Sequence, residues 1–150
     1  MKLSPRQYKW ILNFYPPYIG AGIKINDVAN DWSSITVSMA LRWYNRNAVG
    51  TQFGGSLYSM TDPHIMLILM QRLGREYIVW DKSASIDYIK PGGSKVTAHI
   101  SVSDSQVEEI KTLTADGDKH FAKFDIDIKD EQGNLIAQVH KVIYVRKKKR

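Results

Sequence analysis

Residues 47–70 read NAVGTQFGGSLYSMTDPHIMLILM, and this stretch contains the strongest structural signal in the chain. It begins with loop residues around a Gly-Gly pair and then becomes almost wholly apolar. From Leu57 to Met70 the apolar residues fall on all sides of a helix, which predicts a helix that is buried on most sides. We expect one long helix over residues 56–72, kinked at Pro63 because proline removes a backbone hydrogen bond.

Strands are predicted on both sides of this helix. Alternating or β-rich patterns occupy residues 23–29, 33–44, 76–90, 95–103, 119–130 and 135–147, the first of them being the weakest. Residues 131–134, EQGN, form a turn that joins the last two strands into a hairpin. The order contains no βαβ alternation and therefore favours an antiparallel α+β fold. One large curved sheet wrapped around the central helix accounts for a helix without a polar face.

Two further helices are predicted outside the central one. The first covers residues 4–15, where Ser4 and Gln7 have the spacing of a capping box and the prolines at 16 and 17 end the helix. The second is a short connecting helix within residues 104–118. There, Ser105 and Glu108 have the capping-box spacing.

Composition limits the classes of function. The chain has 150 residues, which suits a single domain over residues 1–150, and it contains no cysteine. Of the net charge of +6, the tail at residues 146–150 carries +5, which leaves 6 − 5 = +1 for the body. We favour a solvated tail and expect no nucleic-acid partner, although a basic chain end can bind polyanions.

No membrane partner, secretory leader or metal is expected. The longest aliphatic run, residues 65–70, is far shorter than the roughly 20 residues that a membrane helix needs. The first ten residues lack a long apolar segment, so we expect a cytoplasmic protein. The four histidines show no short ligand spacing, so we expect neither a metal nor another cofactor.

The stretch also carries three chemical features. Gly54 and Gly55 open the helix, where free backbone N–H groups can hold an oxyanion or polarise a carbonyl. Asp62 lies two turns further along and can act as a general base on water. Asn47 can orient a water or a carbonyl. Structural alternatives exist for each: a tight turn for the glycines, an N-cap before Pro63 for Asp62, and a turn residue for Asn47.

The spacing of these residues is similar to that of a known family. Asn47 lies seven residues before Gly54, and Asp62 lies eight residues after it. This resembles the hotdog-fold thioesterase superfamily, especially the phenylacetic-acid-degradation branch, over roughly residues 20–146. The segments VGTQFGGSLYSMTDP and VWDKSASIDYIKPG look like a bacterial thioesterase-like branch of that superfamily.

The resemblance implies a function and an assembly. The substrate would be an acyl thioester, usually of coenzyme A, and the Gly54 N–H would polarise its carbonyl. Asp62 of a partner subunit would be the base or nucleophile, and Asn47 would help to position water or substrate. The site would therefore require a homodimer, alone or as a dimer of dimers.

Four residues beside this set are candidates for substrate binding: Gly55, Phe53, His64 and Lys82. Phe53 stands where the family has a histidine, which leaves open a non-catalytic protein that binds acyl-CoA or another hydrophobic ligand. His64 is two residues from Asp62, but positions two apart face different ways on a helix, so a core or interface histidine is favoured. Lys82 interrupts an apolar strand and could bind a phosphate of coenzyme A or pair with its neighbours.

Overall fold

A six-stranded antiparallel sheet forms the frame of the computed structural model, which describes residues 2–150. Its strands are β1 (Ile23–Val28), β2 (Ser34–Met39), β3 (Tyr77–Tyr88), β4 (Val96–Ser101), β5 (Lys119–Asp130) and β6 (Leu135–Lys147). They pair in the order β1-β2-β4-β5-β6-β3. The helices are α1 (Pro5–Asn13), α2 (Pro16–Ala21), α3 (Gly54–Ser59), α4 (His64–Leu73) and α5 (Asp104–Leu113). The predicted antiparallel α+β architecture is confirmed.

The central helical segment, α3 with α4, needs one correction to its prediction. The helix is interrupted at residues 60–63 and not merely kinked. Pro63 has no N–H to continue the hydrogen-bond ladder, and it stands as the N-cap of α4. The last residues before it turn more tightly, with Thr61 N donating to Tyr58 O at 2.9 Å and Asp62 N donating to Ser59 O at 3.3 Å.

One face of the sheet packs against α4. The inward positions of β5 and β6 alternate with exposed ones, as expected for strands with one solvated face. From α4, Ile65, Ile68 and Leu69 are buried against this face. The strands contribute buried side chains that include Val37, Ala98, Ile126, Ile128, Val139, Ile143 and Val145.

The termini of the flanking helices differ from their predictions. The helix predicted over 4–15 ends at Asn13, and Pro16 begins α2, because proline fits the first turn of a helix. The capping box of α5 is formed by Ser103 and Gln106, not by Ser105 and Glu108. Ser103 is extended, so its hydroxyl reaches the N–H of Gln106 at 3.1 Å, and the side chain of Gln106 reaches back to Ser103 N at 2.8 Å.

Three other predicted segments are present, and two of them have different bounds. The strand predicted over 33–44 ends at Met39. The hairpin between β5 and β6 is confirmed, with Gly133 in the left-handed region at φ 82°. The basic tail predicted at 146–150 begins inside β6, which extends through Lys147, and Arg146 Nε donates to Gly117 O at 2.9 Å.

The two edge strands of the sheet differ in how they are covered. Helix α1 covers β1, where the Asn13 side chain accepts from Ile25 N at 2.7 Å and donates to Ile25 O at 3.1 Å. Lys9 Nζ also donates to Asn26 O at 2.6 Å. At the opposite edge, no strand within residues 2–150 pairs with the outer side of β3. A long uncovered edge strand is a site for pairing with another chain.

We expect Asn13→Ala to loosen α1 from the sheet. The change leaves the N–H and C=O of buried Ile25 without these partners, and an unsatisfied buried polar group costs about 1–3 kcal/mol. Urea unfolding would measure the loss, with exposed Lys24→Ala on the same strand as control. Equal unfolding free energies for the two variants would show that the Asn13 amide does not hold α1.

Candidate functional site

The N-terminus of α3 presents two glycine amides. Phe53 is the N-cap and makes no side-chain capping bond. Its carbonyl accepts from Ser56 N at 3.0 Å and from Leu57 N at 3.1 Å. The N–H groups of Gly54 and Gly55 precede these bonds, at positions whose donors have no acceptor inside a helix. They are therefore available to an oxygen atom that approaches the helix opening.

Two aromatic rings lie directly over these glycines. A Cβ at Gly54 would be 3.0 Å from the hydroxyl of Tyr88, and a Cβ at Gly55 would be 2.9 Å from Cε1 of Phe53. Because glycine has no Cβ, it allows a ring to approach the main chain closely at both positions. Both rings are more than half exposed, so they form an apolar rim around the helix opening.

An open cleft of about 370 Å³ adjoins this rim. Phe53 and Ser56 line one part of it, and Tyr44 and Arg46 line another. Tyr88 was not among the predicted site residues, because its approach to Gly54 depends on where the end of β3 lies in space. The cleft and the rim together make the α3 opening accessible to an elongated ligand.

Asn47 organises the loop that leads to the glycines. Its Oδ1 accepts from Val49 N at 3.1 Å and from Thr51 N at 3.0 Å. Its Nδ2 donates to Thr51 Oγ1 at 2.9 Å. Both ends of the amide are engaged within the loop, so Asn47 sets the path of the chain into Gly54. Its contact with water or substrate stays a prediction.

Asp62 lies in the interruption between α3 and α4, with its side chain about half exposed. Tyr58 donates its hydroxyl to Asp62 Oδ1 at 2.7 Å, four residues earlier in the chain. Burial raises the pKa of Tyr58, and the bond to Asp62 adds to the rise, so the phenol stays a donor. The N-cap of α4 is Pro63 and makes no side-chain capping bond, so Asp62 is not the helix cap that the alternative interpretation required.

Lys141 is a member of the site that the sequence prediction missed. It occupies an inward position of β6, its side chain is 0% exposed, and its Nζ donates to Asp62 O at 2.7 Å and lies 3.3 Å from Asp62 Oδ1. Asp81 of β3 forms an ion pair with the same Nζ at 2.7 Å, without the alignment of a hydrogen bond. One feature of the sequence could have indicated it: Lys141 occupies a position of β6 that points into the core, between the buried residues Val139 and Ile143.

The neighbouring Lys82 lies outside this cluster. The register of β3 against β6 shifts between Asp81 and Ser83, which is a β-bulge that leaves the Lys82 side chain exposed. Asp81 therefore faces the core side while Lys82 faces solvent. A contact between Lys82 and a phosphate stays a prediction.

His64 lies in the core and not at the α3 opening. Its Nδ1 is 2.8 Å from the Tyr8 hydroxyl and its Nε2 is 2.9 Å from the Tyr18 hydroxyl. Tyr18 also donates its hydroxyl to Ser59 O at 3.1 Å, which ties the His64 cluster to α3. Burial lowers the pKa of His64 to about 3. The ring is neutral and both of its nitrogens are hydrogen-bonded, as expected of a core histidine. Its position does not favour direct contact with a substrate.

No group of three or more His, Cys, Asp or Glu within residues 2–150 is placed to hold a metal ion. None of the helices they form is long and apolar enough to cross a membrane.

The chain belongs to the family described as "Domain of unknown function (DUF4442)", which matches residues 5–145. No curated protein matches it. Among solved structures it is similar to a protein of unknown function and probable thioesterase from Pseudomonas aeruginosa, with a TM-score of 0.82, 14% identity and 99% of both chains covered.

Two further structures have the same architecture. A thioesterase from Haemophilus influenzae matches with a TM-score of 0.70 at 16% identity, over 98% of this chain and 93% of that one. The PaaI protein from the phenylacetic acid degradation operon of E. coli matches with a TM-score of 0.64 at 16% identity, over 96% and 92%. At such identities the likeness establishes the fold, and the predicted hotdog fold is confirmed.

We expect His64 to make the stability of the chain depend on pH. Its pKa is about 3 in the folded state and 6.5 ordinarily, so between these values the unfolded chain binds a proton that the folded chain does not. The contribution is complete above pH 6.5 and falls by about 1.4 kcal/mol per pH unit as the pH drops through this window.

Urea unfolding of the wild type and of His64→Gln between pH 4 and pH 7 would measure this dependence. Glutamine keeps hydrogen-bonding groups but does not titrate, so the difference between the two curves isolates the imidazole. Exposed His99→Gln serves as the control. Parallel curves for wild type and His64→Gln would contradict the expectation.

Proposed function

We propose that the chain is an acyl-CoA thioesterase that hydrolyses an acyl thioester with water activated by Asp62. The observation that carries the proposal is a half-exposed carboxylate, at the edge of an apolar core, that a buried ammonium and a phenol hold in place. It occurs in a fold shared with proteins described as thioesterases. Asn47, Gly54 and Asp62 at the spacing noted above give it further support.

The proposed reaction needs one proton acceptor. Tyr58 and Lys141 both contact Asp62 Oδ1, and no protein contact within residues 2–150 engages Oδ2. Oδ2 takes a proton from a water molecule as the water oxygen adds to the thioester carbonyl carbon. The carbon–sulfur bond then breaks, the acid is released, and the proton held by Asp62 goes to the departing thiolate.

The N-terminus of α3 would stabilise the negative charge that forms during the reaction. The thioester carbonyl oxygen accepts from the Gly54 N–H, which stabilises the negative charge that develops on that oxygen during water addition. Because α3 has only six residues, the donors themselves matter more than a helix dipole. Phe53 and Gly55 border the same opening and would contact the acyl thioester, while Asn47 maintains the loop before it.

A second copy of the chain completes the proposed site. The β1 edge is covered by α1, whereas β3 offers an uncovered edge of twelve residues with half-exposed Trp80 upon it. Pairing of β3 with β3 of a second copy would extend the sheet and place Asp62 of one chain opposite Gly54 of the other. The functional unit is then a homodimer, and two dimers can assemble further.

Coenzyme A is the proposed carrier of the acyl group. Lys82 projects from the bulge of β3 into solvent, on the edge that the second copy would approach. Its ammonium suits a phosphate of the carrier. The acyl group would enter through the aromatic rim of Phe53 and Tyr88.

A second candidate function is binding of acyl-CoA without turnover. The rings of Phe53 and Tyr88 lie over both glycines, and Phe53 replaces a histidine that the resembling family would use there. An apolar rim of this kind could hold a thioester and shield it from water. Both functions use the same opening, and they differ in what Asp62 does.

We expect Asp62→Asn to lower kcat for acyl-CoA hydrolysis by about 10²–10⁴-fold, because a neutral amide cannot accept the proton of the attacking water. The KM should change little. A panel of acyl-CoA esters, with free thiol measured as product, tests this against Asp127→Asn, an exposed carboxylate bonded to Gln138.

The same panel of acyl-CoA esters distinguishes hydrolysis by Asp62 from binding without turnover. Equal rates for wild type, Asp62→Asn and Asp127→Asn would rule out the proposed role of Asp62. Tight acyl-CoA binding with no turnover by the wild type would favour the binding function instead.

We expect Gly54→Pro to lower kcat by about 10²–10³-fold, because it deletes one N–H donor of the oxyanion site. Proline suits the first helical position, and Phe53 is already extended at φ −69° and ψ 127°, as a residue before proline should be. Gly54→Ala is the matched control, since its Cβ meets Tyr88 in the same way while the N–H is kept. Equal activity of the two variants would show that the N–H is not used.

A further inference from the structure

We propose that Lys141, held by Asp81, is a positioning residue that fixes the Asp62 carboxylate through Oδ1 and so aims its other oxygen at the reacting water. The role of Asp62 in hydrolysis comes from the proposed function; the clamp formed by Lys141 and Asp81 is the new element. Neither residue belongs to the set whose spacing identified the site.

The burial of Lys141 is the first observation. Its side chain is fully buried on the inward face of β6, where Val139 and Ile143 on either side are apolar. Removing an ammonium from water is costly unless it is paired and hydrogen-bonded, and an apolar residue of similar length would pack there without that cost. Asp81 compensates the charge at 2.7 Å from Nζ. The ammonium therefore needs a reason beyond packing.

The contacts of Nζ supply that reason. An ammonium has three protons, and the surrounding oxygens are Asp81 Oδ1, Asp62 O and Asp62 Oδ1, at 2.7, 2.7 and 3.3 Å. One lysine thus holds both the main chain and the side chain of Asp62. Tyr58 binds the same Oδ1 from α3. The carboxylate is therefore fixed through Oδ1 from two sides, while no hydrogen bond described within residues 2–150 engages Oδ2.

The charges around Asp62 make Lys141 the dominant partner. The titratable groups that face it are Tyr58 from α3, His64 from α4, Tyr18 from α2, Lys141 from β6 and Asp81 from β3. Burial raises the pKa of both tyrosines and lowers the pKa of His64, so these three are neutral near pH 7. Lys141 then provides the positive charge beside Asp62, and Asp81 shares it.

A double variant separates this positioning role from a packing role. Asp81→Asn with Lys141→Met removes the ion pair as a unit, so that no buried charge is left unpaired. We expect the double variant to lose about 10–100-fold in kcat at unchanged KM, since the base is less well aimed at the water. Exposed Lys123→Met on β5 is the control and should keep the wild-type kcat.

The split between kcat and KM identifies the role of Lys141. A side chain that only fills space could be replaced by methionine, which has a similar length, without a loss of kcat. A kcat equal to that of the Lys123→Met control would therefore overturn the inference.

A readout without turnover keeps this inference separate from the proposed function. Crystal structures of the wild type and the double variant compare the orientation of the Asp62 carboxylate. A carboxylate that leaves its wild-type orientation in the double variant supports the clamp. A carboxylate that keeps its wild-type orientation overturns it, even in an active enzyme.

The remaining outcomes are equally decisive. If the double variant does not fold, Asp81→Asn with Lys141→Leu decides by the same comparison. If the carboxylate moves as expected while the wild type hydrolyses no acyl-CoA, the clamp stands and the proposed hydrolysis fails.

Discussion

The structure depends on how an interruption in its central helix is closed. Between α3 and α4 the chain breaks its hydrogen-bond ladder inside an apolar core, where an unpaired backbone group is costly. Lys141 donates to the Asp62 carbonyl at this point and is itself paired with Asp81. One buried ammonium from the sheet therefore ties the helical segment to β6 and β3. The same contact brings a carboxylate to the edge of the core.

The two edges of the sheet give this site its context. Helix α1 is bound to β1 through the amide of Asn13, which occupies main-chain groups that another strand could use. The β3 edge has no such cover within residues 2–150. Asp81, which pairs with Lys141, and exposed Lys82 both lie on that strand. The uncovered edge, one residue of the clamp and the candidate carrier site thus all lie on β3, the strand on which the proposed second copy would pair.

Sequence patterns correctly predicted the elements that are determined by residues close together in the chain. Alternation predicted β5 and β6, and glycines indicated the hairpin and the opening of α3. The interruption at 60–63 was underestimated as a kink, since a proline pattern alone does not say whether the turns before it tighten. Lys141, Asp81 and Tyr88 meet their partners only through the sheet register, across separations of many residues. Their roles could not be derived from spacing along the chain, although a lysine in an apolar register was a visible anomaly.

In the proposed shared site, Asp62 of one copy acts on a thioester held by Gly54 of another. A dimer assembled from one Asp62→Asn chain and one Gly54→Pro chain, purified through two different affinity tags, tests this arrangement. Each parent homodimer should be inactive, whereas the mixed dimer contains one site with both groups intact. We expect it to recover about half of the wild-type rate per dimer, as two-fold symmetry requires. A mixed dimer as inactive as its parents would contradict the shared site.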